Sequence, residues 1–271
     1  KSIVAKVRPG ENLRASLETA ISLLGPLSAV VAKGDRVLVK PNFNSPDPFP
    51  ASSDLGFIRA VVEVLLDAGA RVVIGESSGG VWRPTRKVFE IAGIYGLANE
   101  LGVGLIPFED RADWVRVRIN GEYLKTVTMP ASAYEADRLV YLPCMKTHYL
   151  GRFSGAMKLA FGFVHPGERR GFHMGHLEEK LAEVNLCWQP DLVITDGRKA
   201  FVTGGPSSGD VVEPGIVLAS GDQVAIDVEA VRVLLSYGAR NRLTDDPCEM
   251  GQIAEAAKHS LGSATGYLLM E

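Results

Sequence analysis

Short β-branched runs recur along this chain, and each is followed by a polar or glycine-rich loop and then by an amphipathic stretch. That order marks βαβ units, in which a helix returns the chain to a parallel neighbouring strand. Arg36–Lys40 (RVLVK) reads as a buried strand, followed by the Pro-, Asn- and Ser-rich loop Pro41–Ser53. Asp54 then caps a helix Leu55–Ala68 that Gly69 closes. Arg71–Gly75 (RVVIG) is the next strand, ahead of helical stretches near Thr85–Ile91 and Tyr95–Leu101 and a strand Val103–Pro107. Arg138–Leu142, Leu192–Thr195 and Ile216–Ala219 continue the series as strands, and Lys1–Lys6 also reads as one. Leu177–Leu186 is expected to be helical, and Asp222 to cap an almost wholly apolar helix running through Leu235. A last helix is expected from about Asp246-Pro247 to His259, with Pro at a tolerated first-turn position.

Trp114–Met129 breaks the pattern. Val115, Val117 and Ile119 alternate with Arg116 and Arg118 and lead into Asn120-Gly121, the strongest short-range hairpin signal. The expected fold is therefore α/β: a mostly parallel, Rossmann-like sheet with helices on both faces and a β-hairpin insertion at about 113–129, in a single domain over 1–271.

Composition narrows the function classes. With 46% hydrophobic and 23% charged residues in 271, the chain has the make-up of an ordinary globular protein. Lys and Arg number 29 against 32 Asp and Glu, a net charge of −3, so no basic excess points to nucleic acid. No apolar run reaches the ~18 residues of a spanning helix, so no membrane partner is expected. Cys144, Cys187 and Cys248 are far apart and form no Cys-x-x-Cys pair. They read as small buried hydrophobes, without a disulfide framework or an iron–sulfur cluster of the chain's own. Lys1–Lys6 does not read as a signal peptide, so a cytoplasmic location is expected; the absence of an initiator Met leaves room for an upstream segment.

In open parallel α/β sheets, ligands bind beyond the carboxyl ends of the strands. Here those ends carry Lys40 and Asn42, then Glu76, Ser77 and Ser78, then Lys146, Thr147 and His148, then Asp196, and finally Ser220 and Asp222. If the fold is as expected, five strand ends share one rim. Two glycine-rich loops, Gly75–Gly80 and Thr203–Gly209, could turn backbone N–H groups toward an anion there, or serve only as tight connections. The segment Met145–His176 is the most unusual. It holds four of the five histidines, His148, His165, His173 and His176, together with Lys146 and Lys158. A short helix at about Ser154–Phe161 would point Lys158 toward His148. Neutral imidazoles ligate metals or move protons near neutral pH, and a desolvated Lys beside other cations serves as base, nucleophile or covalent tether. The bland alternative is a glycine-rich surface loop with solvated histidines. Asp222 is sufficiently explained as an N-cap. Asp227, inside a very apolar helix, pairs with an Arg or faces the site, and His259 reads as surface.

Val37–Phe43 (VLVKPNF), Leu142–His148 (LPCMKTH), Gly151–Gly162 (GRFSGAMKLAFG), Asp196–Gly205 (DGRKAFVTGG) and Ser220–Asp227 (SGDQVAID) together resemble the family known as domain of unknown function 362. Members of that family occur alone or fused to ferredoxin-like iron–sulfur modules. The chain is more distantly similar to the N-terminal domain of the nickel-dependent lactate racemases. There, His148, Phe153-Ser154-Gly155 and Lys158 fall in the order of a His, a Ser-Gly turn and a cofactor-tethering Lys. The likeness implies a shared fold and site location, with His173 or His176 loosely matching a nickel-holding histidine.

Three functions compete. The first is an enzyme, isomerase- or racemase-like or redox-associated, acting on a small carboxylate or phosphate. In it His148 and Lys158 are the acid–base pair, with Lys146 beside them. Lys40, Asn42, Glu76, Ser77, Ser78, Ser154 and Asp196 line the anion site, and a divalent metal (nickel, iron or zinc) on His173 or His176 assists. The second is a non-catalytic binding or redox-accessory module for a ferredoxin-like protein in trans. The third, a nucleotide or sugar-phosphate binder using the glycine loops, has no base- or ribose-recognition signature behind it. Expected partners are thus a small anion, a ferredoxin-like protein in the second reading, and a further copy of the chain.

Overall fold

The computed structural model describes residues 1–79, 83–111 and 113–271. Gly80, the last residue of the first glycine-rich loop, lies outside them. In chain order the strands are β1 (Ile3–Val7), β2 (Arg36–Lys40), β3 (Arg71–Glu76), β4 (Gly104–Pro107), β5 (Trp114–Arg118), β6 (Thr126–Pro130) and β7 (Arg138–Tyr141). They continue as β8 (Cys144–His148), β9 (Arg152–Ser154), β10 (Leu192–Phe201), β11 (Val211–Val212), β12 (Ile216–Ser220) and β13 (Leu268–Met270). The main sheet runs in the order β13-β1-β12-β10-β7-β2-β3-β4, with β8, β9 and β11 attached beside β10. Its β10-β7-β2-β3-β4 half is parallel, whereas β12 lies antiparallel to both β1 and β10.

Side-chain alternation along the strands explains why both faces are covered. In β2, Val37 and Val39 join one apolar core while Leu38 joins the other. In β12, Val217 and Ala219 face the first core, and Ile216 and Leu218 the second. Helices Leu13–Ser22, Leu55–Asp67 and Ile94–Leu101 fill one side; helices Leu177–Glu183, Gln223–Leu235 and Gly251–Lys258 fill the other. Asp54 accepts from the Phe57 N–H, and Asp222 from those of Val224 and Ala225, as N-caps. No described helix is long and apolar enough to cross a membrane.

Several local expectations change. β5 and β6 form an antiparallel pair, as a hairpin should, but as a separate two-stranded sheet. Asn120-Gly121 is not a two-residue turn there: the ladder ends at Arg118 opposite Thr126, and Ile119 N–H reaches Lys125 O at 3.0 Å across a wider loop. The buried Glu183 carboxylate fills that loop, accepting from the backbone N–H groups of Glu122, Tyr123 and Leu124, so an anion organises the turn. β10 does not stop at Thr195 but runs through Asp196 to Phe201 because β8 and β12 supply partners on both sides. Lys146, Thr147 and His148 are likewise strand residues, not a loop after β7. The last helix begins at Gly251; Pro247–Glu249 is a separate 3-10 turn that Asp246 caps.

Candidate functional site

The ends of β2 and β3 and the β8–β9 unit surround a cavity of about 450 Å³. Lys40 ends β2 and Glu76 ends β3, and adjacent parallel strands place them side by side. Lys40 Nζ lies 2.5 Å from Glu76 Oε1 with both side chains buried. The carboxylate also accepts from the N–H groups of Ser77, at 2.7 Å, and Phe43, at 2.9 Å. Lys40 therefore meets the cavity with its charge already matched. Gly162 makes room for this pair: a Cβ there would fall 2.6 Å from Lys40 Nζ and 2.7 Å from Glu76 Oε1.

Among the described residues, Lys146, Lys158 and Arg169 lack such a partner. Lys146 is buried and, among those residues, donates to the Ala51 carbonyl alone. Desolvation lowers its pKa. Arg169 is held by carbonyls, donating to those of Val164 at 2.9 Å and Gly162 at 3.2 Å and also to that of Ser78, and by the Ser77 hydroxyl at 2.5 Å. Lys158 is half-buried on the short helix Ala156–Leu159, with its ammonium 5.9 Å from the Phe161 ring centroid. Burial pushes its pKa down to about 7, and the neighbouring charges of Lys146, Arg169 and Lys40 act in the same direction.

The helix that carries Lys158 is anchored from below. Asp227 neither pairs with an Arg nor faces the cavity. Its two carboxylate oxygens accept from Ala156 N–H at 2.7 Å and Met157 N–H at 3.0 Å. Gly155 permits this, since a Cβ there would sit 2.2 Å from Asp227 Oδ1. Burial raises the Asp227 carboxyl to about 7 although these two hydrogen bonds oppose the shift.

His148 closes β8 opposite Arg152, so the turn to β9 is tight and aims its backbone inward. Leu150 N–H at 3.1 Å and Gly151 N–H at 3.0 Å both donate to Nδ1. With Nδ1 an acceptor, the neutral ring carries its proton on Nε2. Burial, then Lys158, Lys146 and His173, push its pKa down to about 2, so the ring is a neutral N–H donor and not a cation. Gly151 separates the two groups: a Cβ there would lie 3.8 Å from Lys158 Cε and 3.9 Å from His148 Nδ1.

Lys40, Asn42, Glu76, Ser77, Lys146, His148, Ser154, Lys158 and His173 thus line one cavity. Ser207 and Ser208 of the second glycine-rich loop join them. Ser78, Thr147, Asp196, Ser220 and Asp222, expected at the same rim, do not, and neither does His176. Ser78 is buried behind the rim, with its hydroxyl on the Phe43 carbonyl and its N–H on Thr85 Oγ1. Asp196, inside β10, pairs with Arg198 at 2.7 Å, and the guanidinium also bridges to Asp54 and rests over Phe49 and Phe57. Ser220 accepts from Asp222 N–H and donates to Ile3 O as part of the β1–β12 joint. Arg169 was not singled out in the sequence; the only signal was a Glu-Arg-Arg charge cluster inside a glycine- and histidine-rich segment.

The histidines considered for a metal are exposed. His173 borders the cavity, and His176 stacks on Tyr123 at 4.4 Å beside a neighbouring cleft. Among the described residues neither joins a group of three potential ligand atoms. Such a group exists elsewhere, where atoms of Glu183, Glu255 and His259 lie within 4.8 Å of one another. Glu183 there already serves the 119–125 loop, and His259 is held 2.8 Å from Glu255. His148, protonated on Nε2, offers a donor where a metal needs a lone pair. The donors around the cavity therefore do not fit a resident metal. The three cysteines are free, with Cys144 buried and Cys187 and Cys248 half-buried.

The sequence matches the family described as Domain of unknown function (DUF362) over residues 37–232. It is 30% identical over 233 residues to a thylakoid-associated protein of Synechocystis sp., covering 82% of this chain and 70% of that protein. The structure is similar to that of a lactate racemase apoprotein from Thermoanaerobacterium thermosaccharolyticum, with a TM-score of 0.52 at 14% sequence identity. The similarity covers 86% of this chain but 58% of the racemase chain, and it is one of fold.

Proposed function

The chain belongs to the DUF362 family, and from its cavity we propose an enzyme that binds a small carboxylate or phosphate and transfers a proton to or from it. One observation carries this reading. Lys146, Lys158 and Arg169 converge on the cavity, and among the described residues none has a carboxylate within ion-pair distance, while the one acid lining it, Glu76, is taken by Lys40. Cations held in a desolvated site repel one another and lower each other's pKa, and an anion entering between them relieves both costs. Lys146 and Arg169 are the anchors. His148 offers its Nε2–H to an anionic oxygen, and Ser77 and Ser154 supply hydroxyls. Lys158 is the proton carrier, since a group titrating near 7 exchanges protons with the least loss in either direction. Each of these steps uses only the chain's own residues.

The test is thermal and chemical denaturation with oxalate and with inorganic phosphate. A ligand at 100 times its Kd stabilises by ~2.7 kcal/mol. Stabilisation by at least one anion is expected, and it should be lost in Lys146→Met and in Arg169→Met. A wild-type protein that neither anion stabilises would overturn the reading.

A further inference from the structure

We propose that Lys158 captures the carbonyl of a small 2-oxo acid as an imine, so that the substrate class is a carboxylate bearing an adjacent ketone or aldehyde. This rests on the anion-binding reading above and adds the electrophile to it.

The argument begins from which nucleophile in the cavity is free. Lys40 is fastened to Glu76 and Lys146 to the Ala51 carbonyl. The Ser77 hydroxyl donates to Glu109 at 2.9 Å and accepts from Arg169. Lys158 alone among the lining amines has no hydrogen-bond acceptor among the described residues, and its neighbours are cations and the Phe161 ring. From β2 and β8 it faces Lys40 and Lys146, and from the segment after its own helix Arg169 and His173; His148 adds a neutral ring. Among the described residues no carboxylate is positioned to keep it protonated. An amine in this setting spends much of its time uncharged at neutral pH, and only the uncharged amine attacks a carbonyl. The tethered amine also has a defined approach, because Asp227 pins the first turn of its helix from beneath.

The step balances without an oxidant. The Nζ lone pair forms a C–N bond to the carbonyl carbon as the C=O π bond breaks, and the oxygen takes one of the two amine protons to give a carbinolamine. The second amine proton then leaves nitrogen and joins that oxygen, which departs as water as the C–O bond breaks, leaving the imine. The neighbouring carboxylate would rest against Lys146 and Arg169. The His148 Nε2–H is a suitable donor to the oxygen while it carries charge.

The experiment incubates the full chain with pyruvate or glyoxylate and sodium cyanoborohydride, then locates the reduced adduct by peptide mass mapping. One adduct on Lys158 is expected, suppressed by excess oxalate and lost in Lys158→Arg. Mapping on the wild-type protein keeps the result interpretable if that variant does not fold. Oxalate stabilisation with no adduct on Lys158 would overturn the imine proposal and leave the anion site standing. Labelling of Lys158 by acetone as readily as by pyruvate would instead overturn the anionic substrate class. Adducts spread over exposed lysines, with none enriched at Lys158, would overturn the assignment of this amine as the nucleophile.

Discussion

Lys158 and Asp227 are shifted in opposite directions by the same cause, burial; Asp227, from the helix Gln223–Leu235, holds the first turn of the short helix that carries Lys158. The native Asp227 carboxyl keeps its proton up to about 7, whereas the ordinary value is 3.8. Between those values the native state binds more protons than the unfolded one, so this group makes stability fall as pH rises. The native Lys158 amine loses its proton near 7 instead of 10.5. In that higher window the unfolded state binds more protons, and the group makes stability rise with pH. Urea unfolding across pH should therefore show Asp227→Asn flattening the acidic limb and Lys158→Met flattening the alkaline limb, relative to wild type. Persistence of either limb in its own variant would mean that the burial described here is not its origin. Both residues were visible in the sequence. The role of Asp227 was not, because its partners are backbone N–H groups 71 and 70 positions away and no side-chain pattern announces them.

At the scale of elements, periodicity located most strands and helices, since alternation and amphipathicity are local properties. It failed where a partner decided the outcome. β10 extends through Asp196 because neighbours on both sides satisfy its backbone, and β8 is a strand for the same reason. The hairpin β5–β6 was legible, but its loop was not, since that loop is organised by Glu183 from another element. Glu183→Gln should leave this loop short of acceptors, at about 1–3 kcal/mol for a buried donor left unsatisfied. Amide hydrogen exchange at residues 122–124 should quicken sharply while the core strands stay protected. Unchanged exchange there would show that the carboxylate does not hold the loop.

For the whole molecule, the two apolar cores share one sheet, and strands β1, β12, β10, β7, β2, β3 and β4 contribute to both. Leu65 lies in one core and Leu234 in the other, both almost fully buried. Leu65→Ala and Leu234→Ala should each cost about 2–5 kcal/mol. If 1–271 is one domain, each variant should move a single unfolding transition, followed alike by circular dichroism and tryptophan fluorescence. Two transitions, each moved by one variant only, would divide the chain in two.

Sequence alone determined the α/β class and the covered parallel strands, and it marked Lys40, Glu76, Lys146 and His148 as rim residues with Lys158 on a short helix beside them, because hydrophobic period and strand polarity are written locally. Tertiary structure decided which of those charges remain available. Whether a cation is neutralised depends on what stands within a few ångströms of it. Lys40 meets Glu76 from the neighbouring strand and Asp196 meets Arg198 two positions along its own strand, whereas among the described residues Lys158 is surrounded by cations, an aromatic ring and two imidazoles.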